Sequence, residues 1–180
     1  MVFVNSKAVA PDLDRPSALE TVGLDFDHDI ELVLAFLNTC DAEKGTELLD
    51  DQAQWRQWCV DRGLDAAPDV AAAREIRDTM RASIACGSVP VAIADTTWPV
   101  QVRLRNGIPT LTGADALGAV LVSATRLVHT EHWDRIKICP AEACLWAFYD
   151  RSRNRSRTWC SMRVCGNREK ARSWRERHTS

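Results

Sequence analysis

Four cysteines late in the chain stand as two pairs. Cys139 and Cys144 enclose four residues, Cys160 and Cys165 enclose four, and fifteen residues separate the pairs. Zinc prefers a tetrahedron of soft or borderline donors, and four thiolates supply one. Four thiolates also fill the coordination sphere, so no position remains for water or substrate. Such a site would be structural and perform no reaction. Four unligated thiols, two disulfides or an iron–sulfur cluster would use the same residues. Zinc is the favoured reading. The spacing is paired, and the first twenty residues lack the apolar run of a secretory signal that would imply an oxidising compartment.

Arginine crowds the same stretch. Arg151, Arg153, Arg155 and Arg157 fall at every second position, which in an extended chain points them to one face, with Ser152, Asn154 and Ser156 on the other. A row of guanidiniums suits phosphate contact. After Cys165 the pattern is that of a basic helix. Ala171, Trp174 and His178 form one stripe, and cations decorate the other faces. A basic helix anchored by a metal site can present side chains to a DNA groove. The candidate DNA contacts are Arg151, Arg153, Arg155, Arg157, Arg163, Asn167, Arg168, Lys170 and Arg172. Asn167 and Arg168 carry an equal structural reading, as a helix cap and as a donor to carbonyls beside the metal. Gly166 is expected to permit a tight turn there. Trp146, Phe148, Tyr149, Trp159 and Trp174 read mostly as the small core such a module needs, with base stacking as the alternative.

The elements that must position these residues come earlier. Residues 1–26 read as loop or a short extended piece. A helix follows from Asp27, with Asp27 or Asp29 as cap and Ile30, Val33, Leu34 and Leu37 at helical spacing. It is apolar on most sides and expected to be central. Residues 51–62 form a second helix with Trp55, Trp58 and Cys59 on one face, stopped by Gly63. A third carries Ala73, Ile76, Met80 and Ile84 and ends near Gly87. Val100, Val102 and Leu104 alternate with polar residues up to Asn106-Gly107, a hairpin turn signal, and Pro109 confines the returning strand to an edge or shortens it. Thr112 and Asp115 have capping-box spacing before a long helix, about 114–136, with Leu117, Val120, Leu121, Ala124 and Val128 inward. Cys40, Cys59 and Cys86 read as buried core thiols.

The 180 residues are 46% hydrophobic and 27% charged, with a net charge of −2. That figure hides a split. Residues 139–180 hold ten basic and four acidic residues (+6), and residues 1–138 hold thirteen and twenty-one (−8). An acidic body with a basic tail is the asymmetry expected when one end meets a polyanion. No apolar run is long enough to span a bilayer, and a cytoplasmic location is expected. No Gly-rich phosphate loop, nucleophile motif or open metal site appears, so no enzyme is expected.

The segments CPAEAC, FYDRSRNRSRxWC and VCGNRxKAR resemble the CGNR zinc finger, and Cys165-Gly166-Asn167-Arg168 is the tetrad that names it. The resemblance covers about 40 residues. The preceding part is similar to the ABATE domain that usually precedes this finger, on Leu37-Asn38-Thr39 and the stretch WRQWCVDRGL. The first helix, ELVLAFLNT, departs from the more usual LDLVNT-like wording. The resemblance implies zinc ligands at Cys139, Cys144, Cys160 and Cys165. It also implies a stress-induced transcriptional regulator whose finger binds DNA.

The expected fold is α+β. Residues 1–136 form a mainly helical domain with one β-hairpin, a sensor or dimerisation body, and residues 137–180 a small structural zinc-finger module. The leading function is DNA-binding transcriptional regulation. The alternatives are a zinc-stabilised protein-interaction module, docking an acidic partner or the chain's own acidic body, and an RNA-binding protein. A homodimer and an unidentified small-molecule ligand in the body are compatible with the reading, although no motif marks a pocket.

Overall fold

The computed structural model describes residues 26–64, 66–86 and 95–178. The loop reading of the first 25 residues, the helix stop at Gly87 and the burial of the Cys86 side chain lie outside the described residues. Helix α1 (Phe26–Leu37) is central, as its sequence predicts. Val33, Phe36 and Leu37 are fully buried, and Ile30 and Leu32 nearly so. Asp29 is not a cap. It is buried, accepts from Ser123 Oγ at 2.7 Å and Arg126 Nε at 2.7 Å, and so ties α1 to a helix 94 residues further on.

Two short strands, β1 (Cys40–Asp41) and β2 (Thr46–Glu47), pair antiparallel. They lead through a 3₁₀ turn at Leu48–Asp50 into α2 (Gln52–Val60). Asp51 caps α2 by accepting from Ala53 N at 2.7 Å, and Gly63 takes the left-handed conformation (φ +63°) just past its end. Trp55, Trp58 and Cys59 are buried together against Phe36. Trp55 Nε1 also donates to Pro68 O at 2.9 Å, so the indole buries no orphan donor. Burial pushes the Cys59 thiol up to about 11, as expected of a core thiol. Cys40 is only half-buried.

Helix α3 (Val70–Cys86) buries Ala73, Ile76 and Met80. Its Arg77 is buried as well, held by Glu47 at 2.6 Å, Asp78 at 2.9 Å and Thr39 Oγ1 at 3.1 Å. Strands β3 (Val100–Arg105) and β4 (Ile108–Gly113) form the foreseen hairpin. Asn106 (φ +50°) and Gly107 (φ +80°) make its turn. Pro109 opposes Leu104. In a hairpin closed by Arg105 and Ile108 that is a non-hydrogen-bonded pair, so the ring costs no ladder bond.

Helix α4 (Ala116–His129) is shorter than the expected 114–136. Its cap is Asp115 itself, which accepts from Gly118 N at 2.8 Å, and Thr112 belongs to β4. Thr130 closes the helix and Glu131 turns left-handed (φ +59°). Val128 is exposed and Leu127 takes the buried position. After a 3₁₀ turn at Trp133–Arg135, β5 (Ile136–Ile138) pairs with β6 (Ala147–Tyr149). The last helix, α5 (Asn167–His178), follows a π-helical turn at Met162–Gly166 and has no buried residue.

The fold is therefore α+β, a mainly helical body and a C-terminal zinc-finger module. The described residues hold three small antiparallel hairpins rather than one. Ile136 and Ala147 lie in the same apolar cluster as Val33, Phe36, Trp55, Leu117 and Leu127. The β5–β6 hairpin that carries the first cysteine pair is thus built into the body's core. Where β4 meets α4, a Cβ on Gly113 would lie 2.1 Å from Ala119 N. Gly113→Ala should force the backbones apart and cost about 1–3 kcal/mol, read as a lowered thermal midpoint.

Candidate metal centre and the surface around it

Cys139 follows β5 and Cys144 closes the loop before β6. Cys139 N donates to Trp146 O at 2.9 Å and Cys144 N to Ala141 O at 2.8 Å, and Leu145 takes φ +52° to complete the bend. Cys165 lies in the π-helical turn, which Ser161 caps by accepting from Val164 N at 3.3 Å. Gly166 is needed here for close approach, not for a left-handed turn. A Cβ would lie 2.5 Å from Met162 Sδ and 3.2 Å from Trp159 Cδ1.

These two pieces bring the four Sγ atoms within 4.8 Å of one another. Cys144 and Cys160 are 3.5 Å apart, and Cys160 and Cys165 3.6 Å. Such separations exclude S–S bonds. A tetrahedron with zinc–sulfur bonds of ~2.3 Å has an edge of about 3.8 Å, so the set fits zinc. The electrostatics agree. Burial pushes Cys165 up to about 11 and raises Cys160 further, with neighbouring thiols adding to the Cys160 shift. For Cys139 burial also opposes ionisation, but backbone N–H groups of Cys160 and Ala141 and the adjacent thiols outweigh it and lower its value. Four thiolates cannot crowd together unaided, and a divalent cation removes that penalty. Cys139, Cys144, Cys160 and Cys165 are the site of one structural zinc. Phe148 packs against them with the half-buried Trp159, the small core expected of the aromatics. Trp146 and Trp174 are exposed, and Tyr149 packs against the body's core.

The arginine segment departs from expectation. Residues 151–159 are a turn-bearing loop, not a strand, and Arg155 is left-handed (φ +51°), so the four arginines do not share a face. Buried Asp150 organises this loop. Its carboxylate accepts from Lys137 Nζ at 2.7 Å, Ser152 N at 2.8 Å and Arg157 N at 2.9 Å. Burial would raise its pKa, but the Lys137 ammonium and the hydrogen bonds from Ser152 and Arg157 N prevail and hold it well below the usual carboxylate range. Lys137 also donates to Arg155 O and to Arg157 O, and Arg135 to Asp150 O and Ser152 O, both at 3.0 Å.

The candidate contacts sort by what they touch. Arg157 donates to Trp159 O at 2.8 Å and to Cys160 O, and lies over Phe148. The carbonyl-bonding role considered for Arg168 belongs to Arg157. Arg168 instead pairs with Glu43 of the body at 2.8 Å. Arg151 pairs with Asp27 at 3.0 Å, and Arg155 is 3.9 Å from Asp134. Arg172 is neutralised within α5 by Glu169 and Glu176. Asn167 Nδ2 donates to Arg163 O at 3.1 Å, bracing the turn into α5. The side chains of Arg153, Arg163 and Lys170 are exposed, with no hydrogen-bond or ion-pair partner among the described residues.

Two residues that join finger to body escaped notice as functional. The Asn38 amide donates to Ala147 O at 2.9 Å and accepts from Ala147 N at 2.8 Å, pairing with β6 as a strand would. Arg81 donates to Leu37 O at 2.7 Å and to Leu145 O at 2.6 Å, linking α1, α3 and the cysteine loop. Asn38 stood in the Leu37-Asn38-Thr39 motif, but nothing around Arg81 marked it.

No helix among the described residues is long and apolar enough to cross a membrane. The CGNR zinc finger model matches residues 135–178. The ABATE model, described as "Putative stress-induced transcription regulator", matches residues 31–135. No curated protein matches the chain. The two matches meet at Arg135, where α4 has ended and the cysteine-bearing hairpin begins. With more than half of its length matched by the ABATE model and a CGNR finger following, the chain belongs to the ABATE family.

Proposed function

We propose that this protein is a DNA-binding transcriptional regulator whose finger meets the phosphate backbone through the cations its fold leaves unpaired. The supporting observation is the state of the Arg153, Arg163 and Lys170 side chains, exposed and without partners among the described residues. A free cation gives up only water to bind phosphate, whereas a paired one must first release its carboxylate. In this reading zinc shapes the finger, and binding rather than a reaction is the output. An open groove of about 1060 Å³ beside α1, lined by Leu34, Trp58, Trp146 and Tyr149 among others, is where a small-molecule ligand of the body would sit.

Part of the basic surface favours the second reading, docking on the chain's own acidic body. Arg151 and Arg168 pair with Asp27 and Glu43. The two readings divide the arginines between them rather than compete for the same ones.

Fluorescence anisotropy with random-sequence duplex DNA over a salt series tests the proposal. Log affinity should fall linearly with log salt. Arg153→Ala, Arg163→Ala and Lys170→Ala should each flatten the slope by about 1, alike for all sequences. A salt-independent signal, or a triple variant that binds like wild type, would overturn it. Selection from mixed random DNA and RNA pools separates nucleic acids, and exclusive RNA enrichment would replace DNA as the partner.

A further inference from the structure

We propose that the β3–β4 ribbon is an arm through which two copies of this chain pair, underside against underside. The register places Val100, Val102, Leu104, Pro109, Leu111 and Gly113 on one face. Gln101, Arg103, Arg105, Thr110 and Thr112 share the other, with Ile108. The first face carries no charge and no polar side chain. Gly113 seats its base tightly against the first turn of α4. Beyond that point the face leaves the body. Val100, opposite Gly113 at the base, is 44% exposed, the facing pair Val102 and Leu111 are 68% and 39% exposed, and Leu104, nearest the tip, is 71% exposed.

A ribbon of two strands is marginal alone and gains stability when its apolar face is covered. The occupant must match a charge-free aliphatic strip. A polyanion or an acidic peptide finds no cation on this face, since Arg103 and Arg105 point the other way. A second copy supplies the same aliphatic strip, and a two-fold axis lets both be covered at once. The exposed aliphatic side chains offer on the order of 400 Å² per copy, so a symmetric pair would bury about 800 Å². That is small for a permanent dimer and suits an equilibrium that shifts with concentration. The arm is remote in sequence from the finger's unpaired cations, and the pairing stands whether or not the finger binds DNA.

Sedimentation velocity of the zinc-loaded full chain, from about 1 to 200 µM, should show monomer and dimer exchanging. Val102→Lys and Leu104→Lys place an ammonium in the contact and should weaken association by about 100-fold or more. Both positions are exposed, so circular dichroism and zinc content should stay at wild-type values. In Leu104→Cys a short bismaleimide should join two chains through position 104. A monomer at every concentration, or a dimer indifferent to both lysine variants, overturns the proposal. So does a monomer whose ribbon is protected from hydrogen exchange, which would show that another part of the same chain covers the face.

Discussion

Replacing Cys165 by serine, or stripping the zinc with a chelator, will unfold residues 136–178 and loosen the helical body with them. Structural zinc contributes about 10–16 kcal/mol in isolated finger peptides near neutral pH, as large as the whole stability of a typical domain, about 5–15 kcal/mol. Here the loss has a route inward. The cysteine loop lies between β5 and β6, and Ile136 and Ala147 of that hairpin are buried in the same cluster as Phe36 and Trp55. Asn38 pairs with Ala147 and Arg81 with Leu145, so a collapsed loop also strands polar groups of the body. The expected result is one zinc per chain in the wild type and none held by Cys165→Ser. Near-ultraviolet dichroism from tryptophan should be lost and the thermal transition should fall and broaden. Acid should act in the same direction, because the thiols must shed protons to hold the metal. A metal-free chain that keeps a sharp wild-type transition would show that the four thiols pack without a cation, and the zinc assignment would fail.

The coupling between finger and body was the part least legible in the sequence. Helices α1 to α3 could be placed from apolar spacing, and the β3–β4 turn from Asn106-Gly107, because those signals are local. The four cysteines were legible for the same reason: metal chemistry demands particular side chains at short spacings. The end of α4 was not. No glycine or proline interrupts Val128-His129-Thr130-Glu131, and the break is made by Glu131 in a conformation its residue type disfavours. Strands β5 and β6 have three residues each, too few for an alternating pattern to register. The alternate arginines misled because a spacing of two has meaning only in an extended chain. What bends residues 151–159 into a loop is a carboxylate with partners on both sides of it. Asp29 looked like a cap because its partners, Ser123 and Arg126, lie more than ninety residues away.

Asp150→Ala should cost about 3–5 kcal/mol, the range for leaving one partner of a buried ion pair uncompensated. Asp150 is fully buried, and its removal strands the Lys137 ammonium and the N–H groups of Ser152 and Arg157. Those two amides bracket the loop that displays Arg153. Their hydrogen-exchange protection should vanish first, with zinc still bound at one per chain. Nucleic-acid affinity should then fall although no cation has been removed, since binding must also order the loop. Asp150→Asn separates charge from shape, and pH supplies the sign. The folded carboxyl ionises below its unfolded value, so its contribution is complete above the unfolded value of about 4 and is lost as pH falls through the folded one. The stability gap between wild type and Asp150→Asn should be constant above about pH 5 and narrow below about pH 4. Zinc loss in acid unfolds the same segment and also closes the gap, so zinc content is followed in parallel, and the narrowing seen while both proteins still hold one zinc reports the carboxyl. Protected Ser152 and Arg157 amides in Asp150→Ala, with an unmoved thermal midpoint, would mean that the loop is held by Arg135 and Arg157 without the buried acid.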